Sequence, residues 1–260
     1  MKPKIGAQLI VWGERPDKDL DGVLTEVASI GYAGVEMGPG PLERLVNPKE
    51  HFSSRGLALV GLHVGVGDMK VVETCLQLLR KCDAHYLLFR GAGGRGNTAK
   101  EYVEGSKFMN AAAMKGRDFG VRVCYHNHYQ EIVNGAKGIK VICGEVEPEL
   151  LSLCVDTFWV QYAGASPVQF LKENLGRVSY LHLEDWRGTE FVELGQAQGI
   201  VEEFEPGYHW QATTEYQGID SLYLVTLTVT WIDHNRPYSL SAQTMLNGAS
   251  TYVQPSTAQE

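Results

Sequence analysis

The feature that most constrains this chain is a regular alternation of short apolar runs with longer amphipathic ones. Residues 4–10, 31–37, 57–64, 85–89, 121–125, 151–155 and 178–183 are short and rich in apolar residues, and read as buried strands. Between them, 17–30, 41–55, 69–81, 98–119, 136–147 and a segment opened by Ser166-Pro167 read as helices. In the first of these Leu20, Val23, Leu24, Val27 and Ile30 share one face. Ser166 has the chemistry of a helix cap, and Pro167 suits a first helical turn. Units of this kind and length force a parallel sheet with right-handed crossovers.

Seven or eight such units in 260 residues suit a closed (β/α)₈ barrel. The rival, a doubly wound open sheet, lacks its Gly-x-Gly-x-x-Gly turn after the first strand. The end of the chain fits less well. Residues 210–215 and 222–233 both compete for the eighth strand, and the first follows strand seven too closely for a full crossover helix. The expected organisation is a catalytic barrel over 1–217, with an atypical segment, 218–260, completing or packing on it.

A formal net charge of −8 works against nucleic acid and anionic membranes as general partners, because both need concentrated positive charge. Five cysteines at 75, 82, 124, 143 and 154 form no Cys-x-x-Cys pair and sit in apolar runs, as reduced core thiols do. The N-terminus leads straight into a strand, and no run reaches transmembrane length. The expectation is a soluble, cytoplasmic protein.

In a barrel, residues at the C-terminal ends of the strands face the active site. The stretch Tyr125-His126-Asn127-His128-Tyr129-Gln130-Glu131 follows the fifth strand, Asp156 ends the sixth, His182 the seventh, and Glu215 one candidate for the eighth. Glu131, Asp156, His182 and Glu215 are separated by 25, 26 and 33 residues, about one βα repeat each. Three carboxylates and one imidazole make a hard, oxygen-rich set that suits Mn²⁺, Mg²⁺ or Co²⁺ and admits Zn²⁺.

These segments carry a resemblance. Tyr-His-Asn-His-x-x-Glu, Cys-Val-Asp-Thr-Phe-Trp-Val-x-Tyr-Ala-Gly, Gly-Arg-Val-x-Tyr-Leu-His-Leu-Glu-Asp and Glu-Leu-Gly occur in that order. Ile-Gly-Ala-Gln-Leu, Gly-Tyr-Ala-Gly-Val-Glu and Gly-Leu-His-Val-Gly precede them. Together, over residues 4–217, they resemble the sugar phosphate isomerase/epimerase family, xylose isomerase-like barrels whose members include inosose dehydratase and ketose 3-epimerases. The resemblance implies a divalent metal, Mn²⁺ first, on Glu131, Asp156, His182 and Glu215, with the two glutamates as acid/base groups. It also implies a small carbohydrate substrate, and homo-oligomers are common among such proteins. One departure is Glu184, in His182-Leu183-Glu184-Asp185, where the family commonly has lysine.

Other positions have a bland and a functional reading side by side. His126 and His128 lie two apart on one strand face, where they contact substrate or orient ligands. His63 and Glu36 end strands of their own, as substrate contacts or as structural anchors, and Arg90, opening Arg-Gly-Ala-Gly-Gly-Arg-Gly after the fourth strand, holds an anion or begins a flexible loop. Trp12 and Trp159 are sugar-ring walls or core. The expected activity is metal-dependent isomerisation or epimerisation of a keto sugar or polyol, by carboxylate proton transfer through an enediolate. A dehydratase or lyase acting on a keto-inositol or 3-keto-glycoside uses the same groups. An abasic-site endonuclease and a non-catalytic carbohydrate-binding relative are further alternatives.

Overall fold

In a computed structural model the described residues are 5–187, 190–192, 203–205, 208–216, 222–233 and 236–247. The chain divides between Glu184 and Asp185 into two compact units, whereas the sequence reading set its boundary at 217.

The first unit alternates strands and helices. Strands β1 (Gly6–Gln8), β2 (Gly34–Met37), β3 (Ala58–Gly65), β4 (Tyr86–Arg90), β5 (Arg122–His126), β6 (Leu151–Asp156) and β7 (Val178–His182) form one sheet in sequential order. Each strand is parallel to the next, which is the α/β barrel arrangement that βα repeats dictate. The helices are α1 (Arg15–Lys18), α2 (Leu20–Ile30), α3 (Gly40–Glu43), α4 (Pro48–Ser53), α5 (Met69–Lys81), α6 (Ala99–Asp118), α7 (Tyr129–Glu145), α8 (Thr157–Tyr162) and α9 (Pro167–Asn174).

Local chemistry sets the helix ends. Asp19 accepts from the Gly22 amide and starts α2, so the expected helix 17–30 is broken there. Thr98 and Glu101 form a reciprocal capping box at the head of α6. Ser166 caps α9 with Pro167 in its first turn. The expected helix 41–55 is two short helices, because Pro48 opens a new one.

The two faces of each strand go to different places. Leu87, Phe89, Val123, Tyr125, Leu153 and Val155 point outward and pack with helical residues such as Leu76, Leu79, Met109 and Ile142. Alternate residues Leu88, Cys124 and Cys154, joined by Tyr86 and Tyr180, form a small separate cluster on the inner face. Strands approach closely at Gly34, where a Cβ would lie 2.5 Å from the Ala58 carbonyl oxygen.

The second unit is antiparallel. Strands β8 (Asp185–Arg187) and β9 (Glu190–Val192) pair as a hairpin. Strands β10 (Glu203–Glu205), β11 (Tyr208–Tyr216), β12 (Leu222–Asp233) and β13 (Arg236–Asn247) form a four-stranded sheet in that order. Both candidates for an eighth parallel strand, 210–215 and 222–233, therefore fall in antiparallel strands. The five residues between β11 and β12 allow only a hairpin; a parallel return needs a crossover of about a dozen residues or more. Among the described residues no helix is long and apolar enough to cross a membrane.

Candidate metal centre

The inner face of the parallel sheet builds the site. Two residues beyond Cys124, Cys154 and Tyr180 stand His126, Asp156 and His182, on the same face by strand alternation. Register pairs His126 with Cys154, and Asp156 with His182.

Asp156 is 1% exposed and its two carboxylate oxygens differ. Oδ1 accepts from the Trp159 amide at 3.1 Å and so caps α8. The Asp156 backbone is gripped by Asn127, whose Oδ1 accepts from its amide at 3.0 Å while Nδ2 donates to its carbonyl at 3.2 Å. Oδ2 is buried with no hydrogen-bond partner. It lies 4.0 Å from His126 Nε2 and 4.0 Å from His182 Nδ1.

His182 is held from the other side. Its Nε2 sits 2.7 Å from Glu36 Oε2. Gln8 Nε2 donates to Glu36 Oε1 at 3.2 Å. His63 Nδ1 lies 3.3 Å from the same oxygen, an ion-pair distance without hydrogen-bond alignment. A proton on Nε2, facing the carboxylate, leaves the Nδ1 lone pair of His182 directed at Asp156. Carboxylate-held histidines commonly present metal ligands in this way.

The charges divide into a balanced pair and an unbalanced group. Burial opposes ionisation of Glu36, but the His182 hydrogen bond and the nearby His182 and His63 imidazoles outweigh it and hold the carboxyl far below its usual range. Burial likewise opposes protonation of His182, and the Glu36 hydrogen bond and charge outweigh it, so its pKa rises. His126 is driven well below the usual range by burial, then by His182 and His128. Asp156 is pushed up to about 7, by burial first and then by the charge of Glu184. Its carboxylate needs a proton or a cation. Donor atoms 4.0 Å apart can both reach one ion, since metal–ligand bonds here run to about 2.1 Å. Asp156 Oδ2 and either imidazole nitrogen are thus spaced to share a divalent ion.

The remaining expected site residues lie as follows. Glu131 is buried, at the third position of α7. Its Oε2 accepts from the His128 amide at 2.7 Å, and Tyr102 donates to Oε1 at 3.5 Å. Tyr125, an outward-facing residue, also hydrogen-bonds it. Burial raises its pKa. These contacts engage Glu131 with the helix cap and two tyrosines rather than with the Asp156–His182 group. Glu215 is on β11, and its side chain lies outside the described residues. His128 stacks near His126 and Trp159, at centroid distances of 4.7 and 5.5 Å. Arg90 ends β4, and its charge helps burial to lower the His128 pKa. Trp12 closes the short turn after β1 and packs against the core.

Three participants went unread. Gln8 and Asn127 hold Glu36 and Asp156 in place. Cys154, taken as core, has its sulfur 4.0 Å from His126 Nδ1. Two-residue alternation back from Asp156 was the available signal for it.

Known proteins agree with this architecture. An inosose dehydratase of Geobacillus kaustophilus is 24% identical over 191 residues, covering 64% of this chain and 62% of that protein. The chain thus spans less than two thirds of that relative. A sugar phosphate isomerase/epimerase structure from Parabacteroides distasonis superposes with a TM-score of 0.60 at 16% identity, over 69% of this chain and 74% of that one. The IolI protein with a bound zinc atom superposes with a TM-score of 0.59 at 13% identity, over 75% and 81%. The xylose isomerase-like TIM barrel family model matches residues 24–215. The chain belongs to that family.

Proposed function

We propose that the protein is a divalent-metal-dependent enzyme that isomerises or epimerises a keto sugar or related polyol. The observation that carries this reading is Asp156 Oδ2, buried, without a partner and equidistant from two imidazole nitrogens. In this reading Asp156, His182 and His126 hold the ion. A divalent ion held there would supply Lewis acidity toward a substrate carbonyl and its adjacent C–H.

The chain's own groups do the rest. Glu36, braced by Gln8, fixes the His182 ring. His63, His128, Arg90 and the Trp159 and Trp12 rings are proposed to orient hydroxyls and the ring face. Glu131 is the proposed proton-transfer group, and burial already raises its proton affinity toward the range a base needs. To act it must release the His128 amide and the two tyrosines. Glu215 is proposed as the second acid/base group and ligand, on the strength of the sequence motif alone. A small carbohydrate is the partner this reading requires, and nucleic acid is not.

A second reading is dehydration of the same class of substrate, favoured by the inosose dehydratase relative. It shares the first proton abstraction and differs in what leaves next. Solvent deuterium exchange with Mn²⁺ and a panel of keto sugars and inososes tests both. Label retained in an unchanged carbon skeleton supports the isomerase/epimerase reading, and exchange with water loss supports the dehydratase. No exchange with any of them rejects both.

A further inference from the structure

We propose that the same pocket has a second, thiophilic cation site one layer deeper, in which Zn²⁺ or Cd²⁺ is held by Cys154 Sγ with nitrogens of His126 and His182. It shares two side chains with the metal centre proposed above and rests on that reading only for the presence of a cation pocket.

The three donor atoms lie within 4.8 Å of one another. A tetrahedral ion about 2.3 Å from a thiolate and 2.0–2.1 Å from an imidazole sets sulfur and nitrogen about 3.6 Å apart. Cys154 Sγ is already 4.0 Å from His126 Nδ1. The widest separation needs closing by up to about 1.5 Å, and three protein ligands leave the open position typical of exchangeable zinc. An unpartnered carboxylate oxygen, Asp156 Oδ2, overlooks the pocket and adds charge that draws a cation in. Soft sulfur with imidazole selects Zn²⁺ and Cd²⁺ over Mn²⁺ or Mg²⁺. On binding, the Cys154 S–H bond breaks, an S–metal bond forms, and the proton passes to solvent.

The two sites exclude each other. A neutral imidazole has one lone pair. In His126 that pair is either on Nε2, 4.0 Å from Asp156 Oδ2, or on Nδ1, 4.0 Å from Cys154 Sγ. Its tautomer decides which ion the ring serves, so a thiophilic ion displaces the hard one.

Co²⁺ titration followed by absorption tests this. Wild-type protein should give a stoichiometric sulfur-to-cobalt charge-transfer band in the near ultraviolet. C154A and C154S should each lose it, with Co²⁺ affinity down about tenfold or more. C124A, which alters the neighbouring inner-face thiol, should keep it. Mn²⁺ binding, followed by electron paramagnetic resonance, should survive in C154A and fall in D156N, while D156N retains the cobalt–sulfur band. A band that persists in both Cys154 variants overturns the proposal, as does wild-type Co²⁺ binding without a band. The second result, with Mn²⁺ binding still dependent on Asp156, leaves the metal centre of the previous section standing. Absence of any Mn²⁺ or Co²⁺ binding rejects both.

Discussion

Two neighbouring strand-to-helix junctions put a carboxylate to the same structural use with different results. After β6, Asp156 caps α8 with one oxygen and keeps the other buried and unpartnered. After β5, Glu131 caps α7 with one oxygen and gives the other to Tyr102, with Tyr125 also in contact. Asp156 belongs to the inner face, among imidazoles that cannot satisfy it at 4.0 Å. Glu131 bonds an outward-facing tyrosine that belongs to the helix-packed core. The fold engages both oxygens of Glu131 and leaves one oxygen of Asp156 without a partner, which is why the proposed metal centre is placed on Asp156.

The sharpest break between the two junctions is in metal binding. Asp156→Ala should weaken Mn²⁺ by about 100-fold or more, as loss of a charged ligand does. Glu131→Gln should lower turnover and leave Mn²⁺ affinity within about threefold; isothermal titration of both variants compares them. Equal losses would mean that Glu131 leaves its cap to ligate the ion.

Stability should run the other way. Glu131→Ala strips two tyrosine hydroxyls and a helix cap of their acceptor, and should cost about 2–3 kcal/mol in urea unfolding. A cost near zero would show that the Tyr102–Glu131–Tyr125 network is not formed.

The pH response of the metal-free protein separates the junctions further. The ordinary carboxyl value is 3.8 and folded Asp156 titrates at about 7. The folded chain thus holds a proton that the unfolded chain has lost between these values. By linkage this contribution is present below about pH 4 and disappears as pH rises through 7. Asp156→Asn keeps a good cap and removes the titration. Without metal, it should be more stable than wild type by about 1–3 kcal/mol at pH 8 and near wild type at pH 4. Saturating Mn²⁺ should reverse the order at pH 8, because only wild type gains the ion's binding energy. Thermal melts with and without chelator read all four cases.

The smallest effect concerns the segment behind Glu131. Asn134, Gly135 and Ala136 are all left-handed, with φ of 57°, 73° and 56°, and interrupt α7 between its first turn and the rest. Ala136→Gly relieves a Cβ clash there and should stabilise by about 0.5–1 kcal/mol. A destabilisation would mean that the interruption is absent in solution.

Much of the first unit was legible. Apolar periodicity gave α5 residue for residue, and Thr98 and Ser166 marked helix starts because capping chemistry is local. The ends of successive strands also placed Asp156 and His182 together, because a barrel gathers those ends at one rim. The left-handed turn was not legible, since nothing in Asn-Gly-Ala requires the alanine to adopt positive φ; the expected helix 136–147 corresponds to the part of α7 beyond that turn, and the first turn from Tyr129 went unread. The partners of Glu131 come from Tyr102, 29 residues away, and a motif cannot show such a contact. The stretches 210–215 and 222–233 read as strands, but strand propensity does not distinguish parallel from antiparallel. Only the short spacing pointed to a hairpin.

Anomalous diffraction at the manganese edge, from crystals soaked in MnCl₂, tests the central claim most directly. The account predicts a peak bonded at about 2.0–2.3 Å to both Asp156 Oδ2 and His182 Nδ1. A peak held instead by Glu131, or none anywhere near Asp156, would contradict it.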